Sequence, residues 1–336
     1  MKNRIQLVAI SLIIPFIFGG CKREDKPMDG PSLQDLNGTF SMLVPFKCSK
    51  TSVDFSKGET AEFTASFSKL CNWSIRIKGN FSGAQKLITG KSRVIESSQA
   101  IWDGTTTLFP LFRTEPCLAT LKIEGVADSF NLAIGINGLR KPEGFKISDF
   151  ETGISTKWST FIQSGANMDF KIKNDAFVVE GNSYLNMAGT VNWDWLIGMI
   201  DFPASAYGFT HFPLTNVGED AYFNCLIYGV PNVNESRILF QFREDDNNNS
   251  KFDASADDQY DYEMRVTWEG WKLVSIKYSE LTHLVNGAPA TNKGNNRHNP
   301  NNLVMVSMLH LANPSMGAAA TKVDCLMFTD KKPLEL

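Results

Sequence analysis

The stretch that most constrains the fold is residues 260–281, where apolar and polar side chains alternate. Aromatic or apolar residues recur at every second position and so share one face of an extended strand: Tyr260, Tyr262, Met264, Val266 and Trp268. A Glu269-Gly270 pair then interrupts the pattern, and a second apolar segment follows. Period-two alternation around a glycine turn is typical of a β-hairpin. We therefore expect two antiparallel strands joined by a tight turn.

Short strand patterns recur along the rest of the chain, and no long segment has a helical period. Regular short strands separated by glycine and proline turns favour β-sandwiches. Residues 139–144 contain proline, glycine and charged side chains between two groups of strands, which is typical of a linker. The sequence therefore predicts an all-β protein with two domains, the first at residues 38–140 and a larger one at residues 145–332.

The first twenty residues have the composition of an export signal. Lys2 and Arg4 precede an apolar run at residues 5–18, which is short for a membrane span. Gly19 and Gly20 then stand directly before Cys21. This ending resembles the lipobox of bacterial lipoproteins, and the resemblance implies cleavage before Cys21 and lipidation of that residue. A plain secretory signal with an incidental cysteine is the alternative.

Residues 21–37 carry many charges, two prolines and few apolar side chains, so we expect a flexible tether. Its charged start resembles the export tags of surface-displayed lipoproteins. Together with lipidation, this implies an outer-membrane protein held by its lipid anchor and exposed at the cell surface. The formal net charge of −3 disfavours nucleic acid as a partner.

Two resemblances refine the fold class. The segment Ile101, Trp102, Asp103 and Gly104, followed by a strand pattern, resembles the Trp-Asp-Gly hairpin of immunoglobulin-like domains. It implies an Ig-like β-sandwich at residues 38–140, in which Trp102 and Trp73 serve packing.

The second domain resembles the galactose-binding-like jelly roll of carbohydrate-binding modules. Three separated pieces carry this resemblance: an opening Asp-Phe-Glu at residues 149–151, the segment WKLVSIKYSEL at residues 271–281, and a last strand with Asp324 before apolar residues. The resemblance implies a jelly-roll β-sandwich with a glycan as its ligand. It also implies a structural calcium ion near the first and last strands, which nominates Glu151, Asp324 and the loop residue Asn182. Solvated carboxylates at strand ends are the alternative.

A second acidic stretch at residues 244–258 suggests another calcium loop. Asp245, Asn247, Asn249 and Asp253 occupy positions one, three, five and nine of an EF-hand-type loop. Ser250 replaces the usual glycine, and Ala256 stands where the bidentate glutamate belongs. A hydrated hairpin tip without metal is the other interpretation.

Trp193, Asp194 and Trp195 are the main candidates for ligand contact. Two tryptophans spaced by one residue share a face if the segment is extended, and indole rings stack on the C–H faces of sugars. Core packing of both rings is the alternative. Tyr184, His211 and Trp268 are further candidates for the glycan site.

The sequence contains no serine elbow, His-Glu-x-x-His or catalytic Cys-His signature. We therefore expect a non-catalytic lipoprotein of the cell envelope that captures polysaccharide. The alternatives are a structural or adhesive lipoprotein that binds an envelope protein partner and, third, a glycoside-active enzyme. The polar run at residues 286–302 predicts either a mobile loop or a binding lid.

Overall fold

The computed structural model describes residues 38–192, 195–233, 236–312 and 317–336. Its regular structure is β, apart from five short 3-10 turns: Phe55–Lys57, Ser97–Gln99, Ala204–Tyr207, Tyr278–Glu280 and Pro300–Asn302. The predicted all-β class is thus confirmed. The predicted signal peptide, the lipidation site at Cys21 and the tether lie outside the described residues. Within the described part, no helix is long and apolar enough to cross a membrane.

Seven strands form the first sheet: β1 (Met42–Cys48), β2 (Ser52–Asp54), β3 (Ala61–Gly79), β4 (Gln85–Ile95), β5 (Ile101–Trp102), β6 (Pro116–Ile123) and β7 (Ser129–Gly138). All pairs are antiparallel except β2 with β7, which is parallel. The sequence pattern predicts two separate short strands at residues 61–67 and 73–77, but the structure has the single 19-residue β3 there, so that prediction is wrong. Buried side chains keep the same phase on both sides of Lys69, so one strand continues through it. Trp73 and Trp102 are buried, as predicted.

Two further sheets are built from residues 145–330. The six-stranded sheet runs in the order β10-β11-β20-β13-β16, with β8 beside β20, and contains β8 (Phe145–Ser148), β10 (Asn167–Lys173), β11 (Tyr184–Thr190), β13 (Ala221–Gly229), β16 (Gly270–Lys277) and β20 (Ala318–Asp330). The five-stranded sheet runs in the order β15-β14-β19-β12-β9 and contains β9 (Ser159–Ile162), β12 (Leu196–Pro203), β14 (Arg237–Glu244), β15 (Gln259–Arg265) and β19 (Leu303–Leu311). A small hairpin joins β17 (Leu284–Val285) to β18 (Ala288–Pro289).

The hairpin predicted at residues 260–281 does not form. Its two strands exist as β15 and β16, but β15 pairs with β14 and β16 pairs with β13, in different sheets. The segment between them crosses from one sheet to the other beside Gly229. A Cβ atom on residue 229 would lie 1.7 Å from the carbonyl oxygen of Trp268, so only glycine at this position permits the crossing. Alternation and a turn glycine define strands, but they do not choose the strand's partner.

Aromatic side chains hold the two sheets of the larger sandwich together. Phe223 of β13 and Phe328 of β20 come from the six-stranded sheet, and Phe240 and Phe242 come from β14 of the five-stranded sheet. All four are fully buried. The Phe223 ring lies 4.9 Å from Phe240, 5.2 Å from Phe242 and 5.3 Å from Phe328, centroid to centroid. We call these four residues the phenylalanine cluster.

The first sheet also contacts the larger sandwich, and residues 41–336 form one compact unit. The N–H group of Leu111 donates to the carbonyl of Val179 at 2.9 Å, and that of Thr106 donates to Leu336 at 2.7 Å. The C-terminal residues are thus held between the two parts.

We expect Phe223→Ala to lower the free energy of unfolding by about 3–5 kcal/mol, because it removes a buried ring and leaves a cavity between the sheets. Urea denaturation followed by tryptophan fluorescence measures the change. Phe81→Ala is the matched control, since Phe81 is 74% exposed and its loss is expected to change stability by at most about 0.5 kcal/mol. Equal effects of the two substitutions would contradict the inter-sheet role of Phe223.

Candidate functional site

The outward face of the five-stranded sheet carries the candidate binding site. Phe240 and Phe242 point into the core, so the residues that alternate with them along β14 point outward. Residues paired with these on the neighbouring strands face the same side of the sheet. We call the outward-facing residues the cleft face: Ser159, Phe161, Leu196, Met199, Asp201, Pro203, Arg237, Leu239, Gln241, Arg243, Gln259, Asp261, Glu263, Arg265, Met305, Ser307, Leu309 and Leu311.

A cavity of about 230 Å³ lies on this face. The small β17–β18 hairpin contributes Leu284, Asn286 and Gly287, and Trp195 lies just before β12. The remaining lining residues come from the sheet: Leu196, Leu239, Gln241, Glu263 and Leu311. The cavity therefore combines an indole and four leucines with amide and carboxylate groups.

Beside the cavity, a row of polar side chains crosses the sheet. Gln241 is opposite Asp261 and Ser307, Ser307 is opposite Asp201, and Asp201 is opposite Ser159. The hydroxyl groups of Ser307 and Ser159 donate to the two carboxylate oxygens of Asp201, at 2.5 and 2.8 Å. Neighbouring rows carry Leu239, Leu309 and the 46%-exposed Phe161. Ser307 and Asp261 are buried, so the groups that this row presents at the surface are those of Gln241, Asp201 and Ser159.

The carboxylates nearest the cavity are held by internal partners. Glu263 accepts a hydrogen bond from Arg237 at 2.6 Å. Asp261 accepts one from the N–H group of Leu284 at 2.7 Å, and His283 Nδ1 lies 3.2 Å from the same oxygen. Burial raises the pKa of Asp261, although these contacts oppose the rise. Asp261 therefore ties the β17–β18 hairpin to the sheet.

The structure places the predicted ligand residues in different surroundings. Trp193 and Asp194 lie outside the described residues, while Trp195 lines the cavity. Tyr184 is buried, and its hydroxyl group donates to Asp175 at 3.0 Å, so its prediction as a ligand contact is corrected. Trp268 donates to the carbonyl of Ile227 and is covered by the ammonium group of Lys272 at 4.9 Å, away from the cavity lining.

His211 also lies outside the cavity lining. Its Nε2 is 2.9 Å from Oδ2 of Asp245, in the acidic loop that follows β14. Of the predicted ligand residues that the structure describes, only Trp195 reaches the cavity. Sequence reasoning missed Leu239, Gln241 and Glu263, although the alternation along β14 marks the first two as one face.

Two of the predicted calcium residues, Glu151 and Asn182, are hydrogen-bonded to each other. Oε1 of Glu151 accepts hydrogen bonds from the N–H groups of Asn182 and Ser183 at 2.8 and 2.9 Å. Its Oε2 accepts one from the Asn182 side chain at 3.0 Å. A Cβ atom on Gly181 would lie 2.4 Å from Oε1, so glycine is needed for this approach. Glu151 therefore holds the loop at residues 181–183.

Oxygens without partners belong instead to Asp324 and Glu180. Both Asp324 Oδ2 and Glu180 Oε2 are buried and have no hydrogen-bond partner among the described residues. Burial raises the pKa of Asp324 to about 9, and the charges of Glu180, Glu151 and Asp149 act in the same direction. Burial also raises the pKa of Glu180, against the attraction of Lys146. Buried carboxylate oxygens without partners are groups that a hard cation such as calcium would satisfy. Calcium at Asp324 stays a prediction, and Glu180 is a candidate ligand that the sequence did not indicate.

The residues of the second predicted calcium set are linked by hydrogen bonds within their own loop, and their binding of calcium stays a prediction. Asp245 accepts hydrogen bonds from the N–H groups of Asn249 and Ser250, and it faces His211. Burial by itself would raise the pKa of Asp245, but these bonds hold it below its usual value. Asp253 accepts from the side chains of Asn247 and Asn249. Their oxygens thus stabilise the loop itself.

No protein-family model and no curated protein matches this sequence. Solved structures with similar coordinates include carbohydrate-binding modules. The family 11 module from Clostridium thermocellum, solved with a β-1,3-1,4-mixed-linked tetrasaccharide, is 15% identical; the match covers 55% of this chain and 94% of the module, with a TM-score of 0.38. The CBM22-1 xylan-binding domain of Paenibacillus barcinonensis Xyn10C is 14% identical, with coverages of 56% and 96% and a TM-score of 0.32. An exo-β-agarase is 10% identical over 56% of this chain and 25% of its own, with a TM-score of 0.35.

We expect calcium to stabilise the wild-type chain by about 3 kcal/mol when it exceeds the dissociation constant roughly 100-fold, and chelation to remove this gain. Asp324→Asn should reduce the gain without lowering the stability of the chelated protein, because the raised pKa keeps the Asp324 carboxyl protonated at neutral pH, and an amide replaces this neutral group at nearly the same size. Thermal unfolding with calcium and after chelation measures both effects. The exposed Asp128→Asn serves as control. An undiminished calcium gain in Asp324→Asn would contradict this site.

Proposed function

We propose that this protein binds a glycan chain in the cavity on the cleft face and does not cleave it. The observation that carries the proposal is the combination of Trp195 and leucine side chains with the polar row centred on Gln241. Sugar rings present flat C–H surfaces that stack on aromatic groups, while their hydroxyl groups need hydrogen-bonding partners. A face that offers both kinds of group at once suits a sugar better than a purely apolar ligand.

The placement of carboxylates supports binding without hydrolysis. Asp201 and Asp261 stand in the same row but three strands apart, and at about 4.8 Å per strand their backbones are about 14 Å apart. Glycosidases hold their two carboxyl groups roughly 5–9.5 Å apart. The closer pair, Asp261 and Glu263, is engaged by Leu284, His283 and Arg237. Neither pair offers two available carboxyl groups at a catalytic separation.

In our proposal, the protein binds its glycan at the cell envelope. The lipobox resemblance at Cys21 supports a lipid anchor in the outer membrane, and the charged tether supports display at the cell surface. Such a protein would hold polysaccharide near the membrane for other envelope proteins to process. Calcium at Asp324 and Glu180 would act structurally, away from the sugar.

We expect the purified chain to bind a defined polysaccharide on a glycan array. Trp195→Ala and Gln241→Ala should each weaken binding at least tenfold, or about 1.4 kcal/mol, because they remove a stacking surface and a hydrogen-bonding group. Isothermal titration with the best array ligand measures the change. Phe81→Ala, which changes an exposed aromatic residue in the turn between β3 and β4, should bind like the wild type.

A chain that folds but binds no glycan on the array would contradict the proposal. In that case the alternative is a protein partner, and one exposed apolar surface of the structure supports it. Phe161 and Ile162 are 46% and 47% exposed on β9, which forms an edge of the five-stranded sheet. Exposed apolar residues on an edge strand are suited to pairing with another chain.

A further inference from the structure

Three carboxylates meet where β14 ends and β15 begins. Glu244 is the last residue of β14, Asp246 lies two residues further on, and Asp258 directly precedes β15. One oxygen from each lies within 4.8 Å of the other two. Glu244 and Asp258 are fully buried, and Asp246 is partly exposed. We call these three residues the acidic cluster.

No described lysine, arginine or histidine forms an ion pair with a member of the acidic cluster. Like charges this close, and removed from water, repel one another strongly. Burial accordingly raises the pKa of Glu244 to about 8, with Asp246 and Asp258 contributing to the rise. Burial and the neighbouring Asp258 raise the pKa of Asp246 as well. The described residues thus supply no positive charge to compensate the three carboxylates of the acidic cluster.

A single loop, residues 292–299, supplies most of the hydrogen bonds to the cluster. The N–H groups of Gly294 and Asn296 donate to Asp258 at 2.7 and 2.6 Å, and the side chain of Asn295 donates to Asp246 at 2.6 Å. A Cβ atom on Gly294 would lie 2.0 Å from Asp246 Oδ2, so the backbone approaches as only glycine permits.

One carboxylate oxygen of the cluster is left over. Oε1 of Glu244 accepts hydrogen bonds from the hydroxyl group of Tyr278 and the N–H group of Asn299, both at 2.8 Å. Its Oε2 is buried and has no partner among the described residues. A fully buried carboxylate with an unused oxygen, facing two further carboxylates, is an arrangement that a bound cation would satisfy.

We infer that Glu244, Asp246 and Asp258 bind a divalent cation, and that calcium is the ion their hard oxygen ligands favour. Calcium accepts six to eight oxygens, so water and backbone carbonyl groups complete the set. This site is distinct from that of Asp324 and Glu180. It also differs from the EF-hand-type set predicted from the sequence, because Asp245 faces His211 and Asp253 faces Asn247 and Asn249.

The ion would fix the loop that follows the wall of the cavity. The β17–β18 hairpin lines the cavity and leads directly into residues 292–299, which hold the acidic cluster. Neutralising the cluster removes the repulsion that opposes this anchoring. Residues 286–302, predicted as either a mobile loop or a lid, are on this account held in place by the ion.

Terbium luminescence on the purified full chain tests the inference. Terbium takes calcium sites, and the hydroxyl groups of Tyr278 and Tyr260 lie 2.8 and 3.4 Å from cluster oxygens, so excitation of these rings should sensitise it. The experiment uses the Asp324→Asn background to remove the other site. We expect emission that calcium displaces and that Asp246→Asn and Glu244→Gln each weaken at least tenfold in affinity.

Asp253→Asn is the matched control, because it changes a partly exposed carboxylate of the same loop outside the cluster. Its affinity should stay within twofold of the background. Circular dichroism checks that each variant is folded. If Glu244→Gln does not fold, Asp246→Asn still tests the inference, because Asp246 is the partly exposed member of the cluster. Equal affinities in Asp246→Asn and the background would overturn the inference. Loss of affinity in Asp253→Asn alone would also overturn it, in favour of the EF-hand-type set.

Discussion

The packing of the two sheets through the phenylalanine cluster determines which side chains of the five-stranded sheet face outward. Phe240 and Phe242 occupy alternate positions of β14, and both must face Phe223 for the sheets to close. Because side chains alternate along a strand, the neighbouring residues Leu239 and Gln241 must then face outward. The register with β15 and β19 carries the same phase to their side chains. The composition of the cleft face is therefore a consequence of the core.

Buried carboxylates occur at two places in the larger domain. Asp324 and Glu180 lie at one place, and the acidic cluster of Glu244, Asp246 and Asp258 lies at another. At both places a carboxylate oxygen is buried without a partner among the described residues. Burying such groups is unfavourable unless they bind a proton or a cation. A cation at each place would join a loop to a strand, at Asp324 in the middle of β20 and at Glu244 at the end of β14.

The sequence was sufficient for the fold class and for most strands, because alternation is a local property. It was not sufficient for pairing. Residues 260–281 contain two strands with a glycine between them, yet the strands belong to different sheets. Which partner a strand takes depends on the whole set of strands that compete for it. Strand length was misjudged at β3, where the polar residues between two strand patterns were interpreted as a break.

The candidate site was predictable only in part for the same reason. Trp195 stands out as a tryptophan beside another, but Gln241 acquires its role from Asp261 and Ser307, which are distant in sequence. Spacing alone selected Asp245 and Asp253 as calcium ligands. Strand alternation at the end of β14 instead turns Glu244 toward the interior, and Asp246 and Asp258 meet it there. An EF-hand spacing without its two helices does not determine which way each side chain points.

Hydroxyl-radical footprinting of the full chain, with and without a bound polysaccharide, tests most directly whether the cleft face is the binding surface. The account predicts reduced oxidation of Trp195 and of the leucines that line the cavity, with Phe81 unchanged. Protection confined to Phe161 and Ile162, or to residues of the first sheet, would contradict it and place the ligand elsewhere.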